Sequence, residues 1–389
     1  MWVDSPDNPA GAPWRPAGFA ALAAVTLTRL PILLIGTAAV IVFGTWPPPT
    51  AEALWRVSPT EVGNLLARWD TFWYHSIATG GYHWDATVFR HENVVFFPLY
   101  PLLMRVGGQL LGGHPLVAGV LVSLVSFAGA MALLHRFAAD ELGEEYAWPV
   151  ILLISTYPFA LFYSTVYTES LFLFLTVGAF YAMGRGHLFL AALAGLAAGL
   201  TRPNGCWLAA PLLWMALESR LPRRPPRRVT AMVAALAPLA GTTIYSAYLF
   251  SKFGDALAWV HGQAAWGVQI LLRRGAEDGV PFVRDWTMNA TDVLNWIFNI
   301  VAFAVAILAI RPVWRRFGPP YALWIGLSIF PPFLAHLFMS VGRFTAVLFP
   351  LFFWLVTIVP RAKLWRVAGW FAAIQGGFAI LFFLWRPVV

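Results

Sequence analysis

The sequence predicts an all-α polytopic membrane protein with about eleven transmembrane helices. Hydrophobic residues make up 59% of its 389 residues, whereas charged residues make up only 11%. Several apolar runs reach or approach the ~20 residues that cross a bilayer as a helix. A soluble domain of this length could hardly bury so much apolar surface. We therefore expect a single transmembrane domain over residues 1–389.

The apolar runs define the predicted spans. The first run is too long for the core of a signal peptide and follows a proline-rich segment, so we expect it to be retained. The spans cover residues 19–43, 115–134, 148–163, 167–183, 187–201, 205–217, 229–250, 290–310, 321–338, 343–359 and 367–385. Residues 96–111 are also apolar but are interrupted by proline and glycine. They could form a re-entrant or interfacial piece, or a further span.

Basic residues mark alternate loops of this layout. If the N-terminus lies inside, the inner loops contain Arg136, Arg185, the run "ESRLPRRPPRR" (218–228), Arg311, Arg315, Arg316, Arg361, Lys363 and Arg366. Inner loops of membrane proteins carry such an excess of positive charge. Two long segments, residues 45–111 and 251–289, then lie outside. The net charge of +8 is explained in this way, and we expect no nucleic-acid partner.

The sequence does not indicate a metal site. The lone Cys206 excludes an intramolecular disulfide and a cysteine-based metal cluster. Acidic and histidine residues do gather in the first long loop, namely His75, His83, Asp85, His91 and Glu92. They show no recognised ligand spacing. We therefore expect neither a metal nor another cofactor.

Four ionisable residues are not explained by topology. Asp70, Glu169, Arg202 and Arg343 fall at the outer ends of spans or in the first outer loop, and His336 lies near the same level. Ionisable groups at membrane depth are costly and are therefore functional candidates. A transporter would place such groups near the midplane, between repeated halves, and a scaffold would leave them unexplained. A binding or reaction site open to the outside fits them better, and all three classes stay open at this point.

The stretch "RWDTFWYHSIATGGYHWD" (68–85) is rich in aromatic and ionisable residues. Helical spacing places Asp70, Trp73, Tyr74 and Ile77 on one side. The stretch could be an aromatic belt with a solvated aspartate, or an interfacial helix whose Asp70 faces a cavity.

Five blocks together resemble the signature of the PIG-V mannosyltransferases. They are "RWD" (68–70), "GY" (81–82), "NVVFFPLYP" (93–101), "YSTVYTESLF" (163–172) and "TRPNG" (201–205). They occur in order over about a third of the chain. The resemblance implies a GT-C glycosyltransferase fold whose large first extracytoplasmic loop, residues 45–111, bears the catalytic carboxylate.

The resemblance also implies a polyprenyl-phosphate sugar as donor, with mannose favoured, and a lipid or glycan acceptor. Asp70 takes the catalytic position, as the base that deprotonates the acceptor hydroxyl in an inverting displacement. Arg202, Arg343 and His336 are the candidates for the leaving phosphate, since arginine forks suit phosphate. The other expected substrate-binding residues are Arg68, Trp69, Trp73, Tyr74, Tyr82, Asn93, Tyr100, Tyr163, Tyr167, Thr168, Glu169 and Asn204, with Glu169 binding sugar hydroxyls or pairing with Arg202.

The basic residues of the chain are almost all arginine. The chain uses 24 arginines and only 2 lysines, with abundant alanine and glycine. This bias is typical of a GC-rich bacterial genome. It favours a multi-pass plasma-membrane enzyme that acts on a cell-envelope glycolipid or glycan.

Overall fold

The computed structural model describes residues 14–45, 58, 60–87, 91–218, 225–266, 290–336, 338–386 and 388. The regular elements in these ranges are helices, as the sequence predicts. They are α1 (Arg15–Phe43), α2 (Thr71–Gly80), α3 (Leu99–Leu110), α4 (Pro115–Leu142), α5 (Glu144–Thr156), α6 (Glu169–Gly184), α7 (Leu188–Gly199), α8 (Ala209–Leu217), α9 (Pro225–Ala235), α10 (Ala237–Phe253), α11 (Ala258–His261), α12 (Ala290–Phe317), α13 (Pro319–His336), α14 (Val341–Ala346), α15 (Phe349–Ile358) and α16 (Arg361–Phe383). Short 3₁₀ segments cover Asn93–Val95, Pro158–Tyr163, Pro203–Leu208 and Gly262–Trp266.

Several of these helices have the length and composition of membrane spans. Within the described residues, α1, α4, α12 and α16 pass that test, and α9 with α10, bent by 41°, makes a fifth candidate. The apolar helices α6, α7 and α15 are shorter. The structure is therefore that of a polytopic membrane protein, as expected. The number of eleven spans stays a prediction.

Several of the predicted spans are interrupted close to a proline. The predicted span 148–163 is helical only to Thr156, and Pro158 begins a 3₁₀ segment. Proline disfavours a helical conformation in the residue before it, and Tyr157 is accordingly extended, with ψ of 141°. The predicted span 205–217 likewise starts as a 3₁₀ segment, and 343–359 divides into α14 and α15. These breaks leave polar residues at helix ends, where their side chains can meet.

The ambiguous apolar piece 96–111 forms helix α3. Its 12 residues correspond to about 18 Å of helix, which is too short to cross a bilayer. It packs against α2 and α4. We therefore interpret it as an interfacial or re-entrant piece.

The first long loop is packed onto the helix bundle. Its described part contributes Tyr74, Tyr82 and, from α3, Tyr100 to two small apolar clusters that also include Val166 and Tyr245 from the bundle. The main apolar core lies beside them, between α4, α5, α6, α13, α15 and α16. Burial of these rings holds α2 against the bundle, so residues at its start have a defined place.

Helices α7 and α10 cross at close range. A Cβ added to Gly199 would lie 2.0 Å from the carbonyl oxygen of Pro238, and one added to Gly241 would lie 2.2 Å from that of Leu196. Small residues allow such backbone contact between helices in membranes. The crossing fixes the end of α7, from which Arg202 follows.

Candidate active site

Four ionisable side chains from distant parts of the chain form a continuous array of ion pairs. Arg343 donates from Nη1 to Asp70 Oδ2 at 2.8 Å and from Nε to Glu169 Oε1 at 2.9 Å. Arg202 Nη1 lies 3.3 Å from the same oxygen of Glu169. The order Asp70, Arg343, Glu169, Arg202 therefore alternates in charge. The structure brings together the four residues that the sequence singled out, and Arg202 is one of the two kinds of partner expected for Glu169.

The members of this array differ in exposure. The side chain of Glu169 is 0% exposed and that of Arg343 is 8% exposed, whereas Asp70 is 21% exposed. Burying a charge is costly unless opposite charges and hydrogen bonds compensate for lost hydration. The two buried arginines supply that compensation for Glu169. Asp70 is thus the carboxylate of the array that a substrate can most easily reach.

Aromatic rings hold both guanidinium groups. The Arg343 Cζ atom lies 4.8 Å from the ring centre of Phe162 and 4.7 Å from that of Tyr167. Arg202 Cζ lies 4.8 Å from the ring centre of Phe344. Such cation–π contacts stabilise desolvated cations. They restrict the planes of the two guanidinium groups, so the donors keep their directions.

Asp70 immediately precedes α2 and follows a residue in an unusual conformation. Trp69 has a φ of +51°, which a bulky residue rarely adopts. Such a conformation costs on the order of 1–3 kcal/mol and persists only where its surroundings enforce it. The Tyr167 hydroxyl accepts a hydrogen bond from the Asp70 N–H and donates one to the Arg68 carbonyl, both at 3.2 Å. These bonds flank Trp69 on either side.

Helix α4 supports the segment that leads to Glu169. The Ser123 hydroxyl donates to the Thr165 carbonyl at 2.8 Å, and the Tyr100 hydroxyl lies 2.8 Å from Ser123 Oγ. Tyr100 and Ser123 are fully buried. Tyr100, expected to bind substrate, therefore lies behind the polar segment and contacts the protein.

Arg29 is a further buried cation that the sequence analysis did not single out. It lies in a π-helical turn of α1, Val25–Arg29, and its guanidinium donates to the carbonyls of Ser155 and Ala160. Its Cζ atom lies 5.0 Å from the ring centre of Phe127. It thereby satisfies carbonyls that the break after α5 leaves unpaired. An arginine inside an apolar run was the signal for it.

Asn299 is the second residue that the sequence analysis missed. Its Oδ1 accepts from the Gly342 N–H at 2.7 Å, which holds the first turn of α14 and so the backbone before Arg343. Its Nδ2 donates to the carbonyl of Asn295, one turn earlier, at 2.9 Å. Two asparagines four residues apart in a predicted span were the available signal, since polar residues in spans are often functional.

Several buried polar atoms beside the array have no hydrogen-bond partner among the described residues. They are Glu169 Oε2, Arg202 Nη1, both amide atoms of Asn204 and Trp69 Nε1. Leaving such atoms unpaired is unfavourable by about 1–3 kcal/mol each. Water or a hydroxyl-rich ligand would satisfy them.

Helix α2 carries an aromatic surface next to Asp70. The rings of Trp73 and Phe96 are stacked at 5.9 Å with an interplanar angle of 12°, and both residues are half-buried. Tyr74 is buried, and its hydroxyl lies 3.4 Å from that of Thr168. Burial, followed by the nearby negative charges, raises the pKa of Tyr74, so its hydroxyl stays protonated.

Arg68 is directed away from the array. Its side chain is fully buried, with Nη2 3.0 Å from Glu61 Oε2 and Cζ 4.6 Å from the ring centre of Trp385. We expected Arg68 to bind substrate. Its contacts join the motif around Asp70 to Glu61 and Trp385, and a role in substrate binding stays a prediction.

Other expected substrate residues also contact protein groups. The Tyr82 hydroxyl donates to the Phe96 carbonyl at 2.8 Å, and the Tyr163 hydroxyl donates to that of Ala346 at 2.6 Å. Asn93 accepts from the N–H of His83 at 2.9 Å. The structure does not bring these three side chains into the array. The side chain of His336, the last residue of α13, lies outside the described residues.

An apolar groove of about 270 Å³ lies between α1 and α4. Its wall includes Leu33, Leu66, Ala67, Val120 and Val166. Ala67 and Val166 directly precede the segments that carry Asp70 and Tyr167. The four charged residues of the array do not line the groove.

Among the described residues, no group of three or more histidine, cysteine or acidic side chains is placed to hold a metal ion. The expectation that catalysis needs no metal stays a prediction.

The architecture and the site define a polytopic helical membrane protein with a buried, alternating acid–arginine array. Comparison with family models then shows that the chain belongs to the Mannosyltransferase (PIG-V) family, whose model matches residues 50–265. The predicted resemblance is thereby confirmed. Asp70, Glu169 and Arg202 lie inside the matched region and Arg343 lies beyond it.

Curated relatives match over part of their length. The GPI alpha-1,6-mannosyltransferase 2 of Rattus norvegicus is 33% identical over 153 residues, which is 36% of this chain and 29% of the relative. The Homo sapiens protein of the same name is 30% identical over 36% of this chain and 29% of the relative. The Cricetulus griseus protein of the same name is 30% identical over 41% of this chain and 33% of the relative. The chain therefore matches about a third of these relatives. No solved structure matches significantly.

Proposed function

We propose that the protein is an inverting mannosyltransferase that uses a polyprenyl-phosphate sugar and acts on a lipid or glycan acceptor. Membership of the family supports the transfer of a sugar. The observation that carries the proposal is the pairing of Asp70, partly exposed, with the buried Arg343 at 2.8 Å. It provides a positioned carboxylate at the edge of a desolvated charged site.

In this proposal Asp70 is the general base. The acceptor hydroxyl loses its proton to the Asp70 carboxylate as its oxygen attacks the anomeric carbon, and the bond from that carbon to the lipid phosphate breaks. A positioned base typically contributes 10²–10⁴-fold to such a step. One displacement inverts the anomeric centre and requires no covalent glycosyl intermediate.

We assign the leaving phosphate to Arg202 in preference to Arg343. Arg343 is engaged by Asp70 and Glu169 together, whereas Arg202 Nη1 makes no hydrogen bond within the described structure. Arg202 can therefore offer a donor to a phosphate without releasing Asp70. A preorganised cation at the developing charge lowers the barrier.

We assign sugar recognition to the groups beside the array. The stacked rings of Trp73 and Phe96 offer an apolar face, and the unpaired atoms of Asn204 and Glu169 can take hydroxyl hydrogen bonds. Sugars present both kinds of surface. No observation favours a transporter, and the comparisons give that alternative no support.

We further propose a GT-C fold formed by one domain, with about eleven spans and the site on the extracytoplasmic face of the plasma membrane. The excess of arginine in the predicted inner loops supports this orientation. The first outer loop would be residues 45–111 and the second 251–289, of which 267–289 lie outside the described residues.

The orientation predicts which positions reagents can reach in cells. In a Cys206→Ser background, Thr87→Cys in the first loop should react with a membrane-impermeant maleimide on intact cells, because Thr87 is exposed. The matched control is Lys363→Cys at the exposed start of α16, which should react only after permeabilisation. The reversed pattern would place the site inside and contradict this orientation.

The donor class predicts which sugars are transferred. Protein reconstituted in liposomes with a total lipid extract as acceptor should transfer radiolabel from polyprenyl-phosphate mannose. Transfer from polyprenyl-phosphate glucose should be lower, and GDP-mannose should give none above empty liposomes. Labelling from the soluble nucleotide sugar alone would contradict the proposal.

A further inference from the structure

We propose that Tyr167 is a positioning residue for Asp70, and that its hydroxyl acts on the backbone around Trp69. This inference rests on the proposed function of Asp70 as the base. It revises the expectation that Tyr167 contacts donor or acceptor.

The hydroxyl of Tyr167 bridges two peptide groups. It donates to the carbonyl of Arg68 and accepts from the N–H of Asp70, each at 3.2 Å. These groups flank Trp69, whose φ of +51° is unusual for a bulky side chain. Without the bridge the backbone at Trp69 would relax toward a commoner conformation. The Cα–Cβ direction of Asp70 would then change, and its carboxylate would leave its present place.

Both sides of Trp69 are otherwise anchored. On one side, Arg68 is held by Glu61 and by the ring of Trp385. On the other side, Asp70 is held by Arg343. The rings of Trp69 and Trp385 also meet edge to face at 5.8 Å. Tyr167 is the side chain that links these two anchors through the backbone between them.

The phenol of Tyr167 has two separable parts. Its ring lies 4.7 Å from the guanidinium carbon of Arg343, whereas its hydroxyl contacts only the backbone named above among the hydrogen bonds of the described residues. Tyr167 is 1% exposed, so substrate does not reach it in this arrangement. A Tyr167→Phe change therefore removes the bridge and keeps the support under Arg343.

Kinetics test the inference. For Tyr167→Phe we expect kcat for sugar transfer to fall about 10-fold or more, because small displacements of a catalytic group are costly, while KM for the donor changes little. In an Asp70→Asn background the same change should cause no further loss, since it acts only through the carboxylate. Tyr245→Phe is the matched control. It also removes a buried hydroxyl bonded to a carbonyl, that of Val94 at 2.7 Å, and should keep the wild-type rate.

Hydrogen exchange tests it without reference to activity. The Asp70 amide should exchange faster in Tyr167→Phe than in wild type or Tyr245→Phe, because its acceptor is gone. Unchanged exchange would overturn the inference, as would an equal loss of rate with and without the Asp70 carboxylate. Absence of transfer by the wild-type protein would instead contradict the proposed function, and the exchange result would still decide the positioning role.

Discussion

Asp70→Asn is expected to lower kcat/KM for sugar transfer by about 10²–10⁴-fold, the contribution of a positioned general base. Asparagine keeps the shape of the side chain and can stay beside Arg343, but it cannot accept the proton of the acceptor hydroxyl. The measurement is initial-rate transfer of radiolabelled mannose from the polyprenyl-phosphate donor by the reconstituted protein.

Asp140→Asn is the matched control for this change. Asp140 is also paired with an arginine, with Oδ1 3.0 Å from Arg136 Nη2. It follows Ser123, which contacts the site, by 17 residues of α4, or about 25 Å of helix. We expect the Asp140→Asn variant to transfer sugar at a rate within about threefold of wild type, because the substitution lies far from the reacting atoms. If Asp70→Asn retained a comparable rate, Asp70 would not be the base.

Arg343→Met is expected to destabilise the protein by about 3–5 kcal/mol, the effect of removing one partner from a buried ion pair. Glu169 would stay fully buried with Arg202 as its remaining cation within the described site, and Asp70 would lose its cation. Thermal unfolding of the detergent-solubilised protein, followed by intrinsic fluorescence, measures the effect.

A second substitution separates charge imbalance from lost packing. Arg343→Met combined with Glu169→Gln leaves Asp70 and Arg202, one charge of each sign. The double variant should therefore be less destabilised than the sum of the two single variants, with a coupling of about 0.5–3 kcal/mol. Strict additivity would show that Arg343 and Glu169 do not stabilise each other. Arg343→Lys should also destabilise the protein, because the ammonium group of lysine lacks the forked donors with which arginine reaches both carboxylates.

The two effects address different properties of one array. Asp70, at its exposed end, is expected to determine the rate, and Arg343, in its buried part, to determine stability. Asp70→Asn should therefore unfold at nearly the wild-type temperature while transferring sugar about 10²–10⁴-fold more slowly. This contrast is expected because Arg343 keeps its bond to Glu169 in this variant, and the asparagine oxygen can still accept a hydrogen bond from it.

Much of the site was predictable because charge is rare in this chain. Asp70, Glu169, Arg202 and Arg343 are visible in the sequence as ionisable residues beside apolar runs, and pairing with Arg202 is one of the two roles that the sequence suggests for Glu169. The bond from Arg343 to Asp70 was not, since it joins residues separated by 273 positions. Arg68 and Tyr100 were expected to bind substrate because they belong to the same sequence blocks, but membership of a block does not show on which side of the backbone a side chain lies.

Local patterns along the chain were sufficient to predict the membrane class, the helical character and the family, because hydrocarbon thickness, helical hydrogen bonding and motif order can all be seen in the sequence. The folded structure was needed to show which carboxylate meets which arginine. It was also needed to show that Tyr167 holds the backbone before Asp70 and that Asn299 holds the backbone before Arg343. These contacts depend on how the helix breaks near Pro158, Pro203 and Leu348 turn their segments toward one another. The orientation of each segment depends on packing between elements that are far apart in the sequence, and local sequence patterns do not contain that information.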